Sequence, residues 1–251
     1  MQLVRPKGVL NIIRFNYHFY LLSGGFIVIA LLITSFLPHI VSLLLKVASL
    51  LMFLVIICSL IASYYVYDCS GLYILNWLDG FNIGNAKAIV NIHAGLDETS
   101  RGLSAKFPGA KISCLDFYDP ETHTEISIKR ARKIYPAPTS TLSVKTNELL
   151  LPDHSADIVF IFLSAHEIRD KEERILFFKE VRRILKPNGQ IIVSEHLRDL
   201  NNFLAYNIGF LHFFSERQWR EIFKAAGLQI KSECKLATFI KTFILQNGVT
   251  S

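Results

Sequence analysis

Two long uncharged apolar runs near its start constrain this chain more than any other feature. Tyr17 to Leu37 and Val47 to Val66 contain no Asp, Glu, Lys or Arg. Each is about 20 residues, and at about 1.5 Å per residue such a helix spans a bilayer core of roughly 30 Å. A soluble helix carries a polar stripe every three or four residues, and neither run has one. The runs predict two transmembrane helices, 17–37 and 47–66, in an N-terminal anchor of residues 1–80. A buried helical hairpin is the alternative. Both runs exceed a signal-peptide core, and no small-residue cleavage pattern follows either.

Charge around the runs sets an expected orientation. Arg5, Lys7 and Arg14 precede the first, whereas only His39 and Lys46 lie in the turn between them. Positive charge stays on the cytoplasmic side, and two spans return the chain to the side it left. The protein is therefore expected in the inner or plasma membrane, with everything after about Asp68 facing the cytoplasm. Tyr17, Tyr20, Tyr64, Tyr65 and Tyr67 flank the runs, where aromatic rings favour the headgroup level. The net charge of +6 is thinly spread except at Lys129, Arg130, Arg132 and Lys133. That group reads as a solvated helix face or as a contact for anionic headgroups. No broad basic surface with interleaved aromatics exists, so nucleic acid is not an expected partner. Cys58, Cys69, Cys114 and Cys234 lack paired or metal-like spacing and suit reduced thiols.

Beyond the anchor, residues 81–251 alternate strand and helix. Strands are expected at Ala88–Ile92, Lys111–Asp116, Leu142–Lys145, Asp157–Leu163 and Gln190–Glu195, and helices at Ser100–Lys106 and Glu121–Ile134. Asp170 with Glu173, and Ser215 with Gln218, open two further helices in capping-box patterns. Leu228–Glu233 and Thr238–Leu245 are joined by a short turn and should pair antiparallel. The fold class is α/β: a doubly wound, mostly parallel sheet with its last strand antiparallel.

Several motifs in this order resemble one family. Leu151-Pro152-Asp153-His154-Ser155-Ala156-Asp157-Ile158-Val159 and Glu180-Val181-Arg182-Arg183-Ile184-Leu185-Lys186-Pro187-Asn188-Gly189 are similar to signatures of class I S-adenosylmethionine-dependent methyltransferases. The resemblance covers about Ala86 to Gly248. It implies a Rossmann-like methyltransferase domain with S-adenosyl-L-methionine as cofactor. The first motif departs from the pattern: Asn91-Ile92-His93-Ala94-Gly95-Leu96-Asp97 keeps one glycine where most members have three. It is also similar to the corresponding loop of carboxyl-methylating relatives, where Asp follows the second glycine, so His93 is the real oddity. A lapsed cofactor site on a non-catalytic, membrane-tethered scaffold is the opposing reading.

The resemblance implies that Asn91, His93, Gly95 and Asp97 surround the methionine part of the cofactor. Asp116 would accept from the ribose hydroxyls, Phe117 would cover one adenine face, and Thr146 or Asn147 would replace a missing acidic partner of the adenine amine. Ser164 would complete the site, and Asp157 is structural. Ligands of open α/β sheets bind outside the carboxyl ends of the strands. There the sequence reads Ser164-Ala165-His166-Glu167 and Ser194-Glu195-His196. His166, Glu195 and His196 are the expected catalytic residues, with His166 as general base because imidazole titrates near neutral pH. Spacing alone gives no metal signature, and no metal is expected. The aromatic segment Phe203 to Phe214 fits core packing, an acceptor pocket or the bilayer surface. A small apolar or lipid-like acceptor (a phenol, a quinone precursor or a thiol) is favoured, with a phospholipid amine as the alternative. The bilayer is the one further partner expected, and the oligomeric state is left open.

Overall fold

The computed structural model describes residues 8–81, 83, 86–123 and 125–248. Arg5 and Lys7, on which the expected orientation leans, lie outside them.

The apolar runs form an antiparallel pair of helices, α1 (Gly8–Ile33) and α2 (His39–Tyr64), turned at Thr34–Pro38. Pro38 begins α2, a position where its missing N–H leaves no intrahelical bond unmade. Helix α1 kinks at Asn16 (φ −116°), whose side-chain amide donates to the Ile12 carbonyl at 3.1 Å. The kink separates a short amphipathic start from the uncharged run. At the other end of the pair, Asp68 accepts from the backbone N–H groups of Gly8 and Val9, both at 2.8 Å. It satisfies donors that every helix N-terminus leaves open. Both open ends of the pair therefore meet at the α/β domain, and the Thr34–Pro38 turn lies farthest along the chain from it.

The domain is built on seven strands: β1 (Ala88–His93), β2 (Lys111–Asp116), β3 (Leu142–Ser143), β4 (Ala156–Phe162), β5 (Leu185–His196), β6 (Leu228–Leu236) and β7 (Ile240–Asn247). Their order is β3-β2-β1-β4-β5-β7-β6, with β7 antiparallel to both neighbours and the first five parallel. This is the expected doubly wound sheet. Helices α5 (Lys171–Ile184) and α7 (Glu216–Ala225), separated in sequence by the short α6 (Leu200–Tyr206), cover one face through Phe177, Phe178, Val181, Trp219 and Phe223, all buried. The other face holds Ile89, Ile158, Phe160, Ile192 and Ile244, buried against Leu103 of α3 (Ser100–Lys106) and against Leu75 and Leu78. Leu75 and Leu78 fall inside the stretch that hydropathy groups with the anchor, but they are core of the sheet.

Local signals read unevenly. Ser215 and Gln218 complete both halves of a capping box. Asp170 caps α5 by accepting from the Glu173 N–H at 2.8 Å, but the Glu173 carboxylate turns away to accept from Thr146 Oγ1. The helix expected from Glu121 begins only at Ile126, as α4 (Ile126–Ile134). Before it, Asp119 holds the chain in a turn, taking the Glu121 N–H on its carboxylate and the His123 N–H on its carbonyl. The expected strand to Lys145 stops at Ser143, because Lys145 pairs locally with Glu148.

Candidate active site

Register brings four strand ends to one edge of the sheet. His93 lies opposite Asp116, Ile92 opposite Ile161, and Phe162 opposite Ser194. Residues at and just past the ends of β1, β4 and β5 line a cavity of about 230 Å³, closed on other sides by α4 and by the hairpin. Gly8, Asn11, Ile12, Phe15 and Asn16 of α1 line it, as do Tyr67, Leu72 and Tyr73 beyond α2. All four basic residues shortly before Tyr135 belong to α4, and two of them have structural work. Arg130 stacks 4.1 Å over the Tyr17 ring and donates to the Phe15 carbonyl, which fastens α4 to α1. Tyr135 adds a bond to Asn11 at 3.0 Å.

The loop after β1 is braced from inside. Asn91 donates to Ser100 Oγ and Asp97, and Asp97 accepts from the Thr99 and Ser100 N–H groups that open α3. Both residues therefore shape the loop. Gly95 has φ +92°, and a Cβ there would meet Ile128, Tyr118 and Arg132 at 3.0–3.2 Å. No other residue type fits without displacing them. Asp116 is buried beneath this loop; its Oδ1 accepts from the Gly95 and Tyr118 N–H groups, and its Oδ2 from Arg132 Nη1. His93 lies 3.7 Å from Asp116, yet neither of its ring nitrogens has a hydrogen-bond partner among the described residues. Burial holds its pKa down despite the nearby carboxylate. Orphaned buried nitrogens beside a buried carboxylate and a glycine cradle fit a polar ligand with hydroxyl and amino-acid groups, as the expected cofactor has.

On the side expected to take the adenine, Phe117 is buried with its ring 5.4 Å from that of Phe177. It also lines a second, open cavity together with Tyr118, His123, Thr146 and Asn147. Arg132 donates to Asp116 and lies 4.4 Å from the ring of Tyr118, which lines that second cavity.

The opposite side of the main cavity is a charged network. Glu195 is fully buried; one oxygen accepts from the Ser164 and Ala165 N–H groups, and the other lies 2.6 Å from His166 Nδ1. Ser164 itself donates to the Ile92 carbonyl. Glu167 lies 3.4 Å from both His166 and His212. Burial disfavours an imidazolium at His166, but the Glu195 charge and the bonds from Glu167 and Glu195 outweigh it and push the pKa up to about 10. Glu167 is held low by the same histidine bonds, against its own burial. His166 is thus an imidazolium at neutral pH, not the freely titrating imidazole that the sequence suggests. His196 is the reverse case. Burial takes it down to about 4, against its bonds to the Phe239 carbonyl and Asn202. With Nδ1 3.0 Å from that carbonyl, its Nε2 faces the Tyr67 hydroxyl at 3.1 Å.

Sequence reasoning did not single out Tyr67, Tyr73, Glu98, Arg132 or Glu125 for the site. Tyr67 was visible only as an interface aromatic. Tyr73 donates to Glu98, whose pKa burial raises. The aromatic segment splits into two parts: His212 and Phe213 line the cavity, while Phe203, Ile208 and Leu211 stay exposed.

A family model described as "Methyltransferase domain" matches residues 97–193. No curated protein matches the chain in sequence. Among solved structures, a SAM dependent methyltransferase from Aquifex aeolicus is similar at 16% identity and TM-score 0.52, over 71% of this chain and 93% of its own. The PH0226 protein from Pyrococcus horikoshii OT3 is similar at 16% identity and TM-score 0.53, over 72% of this chain and 91% of its own. The structure of PigF with SAH aligns at 12% identity and TM-score 0.50, over 70% of this chain and 61% of its own. At such identities the likeness shows the fold, a Rossmann-like sheet whose last strands run antiparallel. Together with the domain match, that fold supports a methyltransferase that uses S-adenosyl-L-methionine.

Proposed function

We propose that this protein is a membrane-anchored methyltransferase that acts on a small apolar or lipid-like acceptor, a phenol, quinone precursor or thiol. The carrying observation is the shared cavity: one wall is strand ends, and the other is the open end of the apolar helix pair. Both helices are long and apolar enough to cross a bilayer. A soluble core helix would be covered, but Leu22 and Phe36 are 70% and 88% exposed. Exposed apolar side chains along two whole helices need an apolar solvent. An acceptor dissolved in the bilayer would then meet the cavity where the helices enter the domain. Residues 1–80 serve as anchor in this reading and 81–251 as catalytic domain, with the Leu72–Leu78 stretch docking one to the other. Both open ends lie at the domain, so the N-terminus and the domain share a side, the cytoplasmic one by the charge rule.

The cofactor supplies an electrophilic methyl group on a sulfonium, and the chain's contribution is mostly positioning. Asp116 would accept from the ribose hydroxyls. His93, Gly95 and Ser164 would face the methionine part, with Asn91 and Asp97 bracing the loop. Asn147 would meet the adenine, with Phe117 supporting that pocket from the core. On the acceptor side, Glu195 fixes the turn that carries His166, and His166 offers a charged donor. His196, kept neutral, is the group able to take a proton at Nε2. One observation favours the phospholipid amine as a second reading: Tyr67, Tyr73 and Phe213 line the cavity with Glu98 and Glu167, a combination that suits an ammonium group.

The test is full-length protein in vesicles containing phosphatidylethanolamine, given methyl-labelled cofactor with and without an alkyl phenol or alkyl thiol. Label in the added phenol or thiol supports the leading reading, and label in the phospholipid replaces it with the second. Cofactor binding with no transfer to any of the three overturns both.

A further inference from the structure

The turn after β4 and the segment before α7 bring together three side chains: two neighbours in sequence, His166 and Glu167, and His212, 45 residues beyond Glu167. His166 Nε2 and His212 Nε2 each lie 3.4 Å from the same oxygen of Glu167, Oε1. All three ligand-capable atoms fall within 4.8 Å of one another, and all three residues line the main cavity. Ligands at about 2.0–2.2 Å from a tetrahedral ion are separated by about 3.4 Å. The two measured separations have that length.

The second nitrogen of each ring is also engaged, in the same way. His166 Nδ1 meets Glu195 Oε2 at 2.6 Å, and His212 Nδ1 meets Glu125 Oε1 at 3.1 Å. A carboxylate on Nδ1 holds a proton there and directs Nε2 outward, the arrangement that orients histidine ligands on a metal; an ion binding at His166 Nε2 displaces the second proton that this ring carries without it. Here it occurs twice, and both Nε2 atoms point to one place. Arg169 ties the two segments together by donating to the carbonyls of His166 and His212, at 3.0 and 2.6 Å. Three carboxylates and two imidazoles thus crowd one end of the cavity, with the Arg169, Arg174 and Arg198 guanidiniums nearby held on carbonyl oxygens.

We propose that His166, Glu167 and His212 form a binding site for a divalent transition-metal ion, oriented by Glu195 and Glu125. Two imidazoles and one carboxylate suit Zn²⁺ or its first-row neighbours; Mg²⁺ and Ca²⁺ prefer oxygen throughout. Three protein ligands leave a coordination position open toward the cavity. That position selects a ligand with an oxygen or sulfur donor, a phenol or thiol, and this last assignment rests on the acceptor reading above.

The test uses full-length protein in detergent, stripped with chelator and titrated with Co²⁺ and Zn²⁺. One Co²⁺ per chain is expected, with the visible bands of a four- or five-coordinate ion, displaced by one equivalent of Zn²⁺. Glu167→Gln and His212→Ala should each weaken binding at least tenfold, and Glu195→Gln about 10- to 100-fold as an orienting group. His154→Ala, elsewhere on the fold, should leave it unchanged. His212 is half-buried, so its variant remains informative if Glu167→Gln does not fold; retained S-adenosylhomocysteine binding reports on folding. No saturable binding, or binding unaffected by His212→Ala, overturns the site. If an alkyl thiol does not move the cobalt bands of a loaded protein, the ligand class fails while the metal site stands.

Discussion

Arg132 and Asp116 give the sharpest test of where the cofactor binds. Asp116 stands at the end of β2, where the resemblance puts the acceptor for the ribose hydroxyls. In this structure one of its oxygens already accepts from Arg132, whose guanidinium also lies 4.4 Å from the Tyr118 ring. If the ribose takes that oxygen, Arg132 must leave it first. A charge-assisted hydrogen bond contributes about 1.5–3 kcal/mol. The Arg132 side chain is 33% exposed against 7% for Asp116, so solvent screening lowers this to about 1–2 kcal/mol. Arg132→Met keeps an apolar stem on Tyr118 and removes the competing charge. Affinity for S-adenosylhomocysteine should then rise about five- to thirtyfold, measured by calorimetric titration of the full-length protein in detergent. Asp116→Asn is the partner experiment. Its amide oxygen can still accept from Gly95 and Tyr118, so the loop is kept while the charge is lost, and affinity should fall at least tenfold. A weaker affinity in Arg132→Met would mean that the guanidinium itself holds the cofactor. An unchanged affinity in Asp116→Asn would remove the carboxylate from the ribose site.

Further outcomes follow from other groups. His196 is neutral down to about pH 4 when folded but protonates near 6.5 when unfolded, so the folded state binds fewer protons between those values. Its contribution, about 3 kcal/mol, is complete above pH 6.5 and lost as the pH falls to 4; thermal melts should show this drop, and His196→Gln should flatten it. Asp68→Ala leaves the Gly8 and Val9 N–H groups without their acceptor, at a cost of about 1–2 kcal/mol, which should lower the melting midpoint of the full-length protein in detergent. Asp157 accepts from the Lys87 and Ala88 N–H groups and from Lys186, which clasps the start of β1 to the turn within β5. Asp157→Ala should destabilise the domain by about 2 kcal/mol in denaturant titrations while S-adenosylhomocysteine affinity stays within twofold.

Elements with a local cause were legible from sequence. The apolar runs, the alternation of strands and helices, the Ser215–Gln218 box and the antiparallel final pair each follow from periodicity or turn chemistry within a dozen residues. What failed locally failed through a neighbour: Glu173 abandoned its half of a capping box for Thr146, and α4 started late because Asp119 and His123 had already formed a turn. Within the site, Glu195 and His196 could be marked because strand ends in a parallel sheet face the ligand, and Gly95 and Asp116 through the family resemblance of their motifs. Their electrostatics could not be read that way. His166 has the ordinary chemistry of an imidazole until two carboxylates, one 29 residues away, are placed against it.

The wall that the hairpin supplies was the least legible part, and it is what ties anchoring to chemistry here. Asn11, Phe15, Tyr67 and Tyr73 look like the ends of membrane helices, and hydropathy has no means of giving them a cavity to line. They acquire one because Arg130 and Tyr135 dock the helix pair onto the domain, while Asp68 ties its two open ends together. Tyr67 then meets His196, and Tyr73 meets Glu98, so the hairpin closes on groups at or near the ends of β5 and β1. A tether alone would need none of these contacts, and its replacement by an unrelated anchor would leave the cavity intact. Replacing residues 8–66 with an unrelated two-span anchor of equal length should instead reduce methyl transfer at least tenfold in vesicles, while S-adenosylhomocysteine affinity changes less than threefold. Equal turnover in the chimera would show that the helices only hold the enzyme at the membrane.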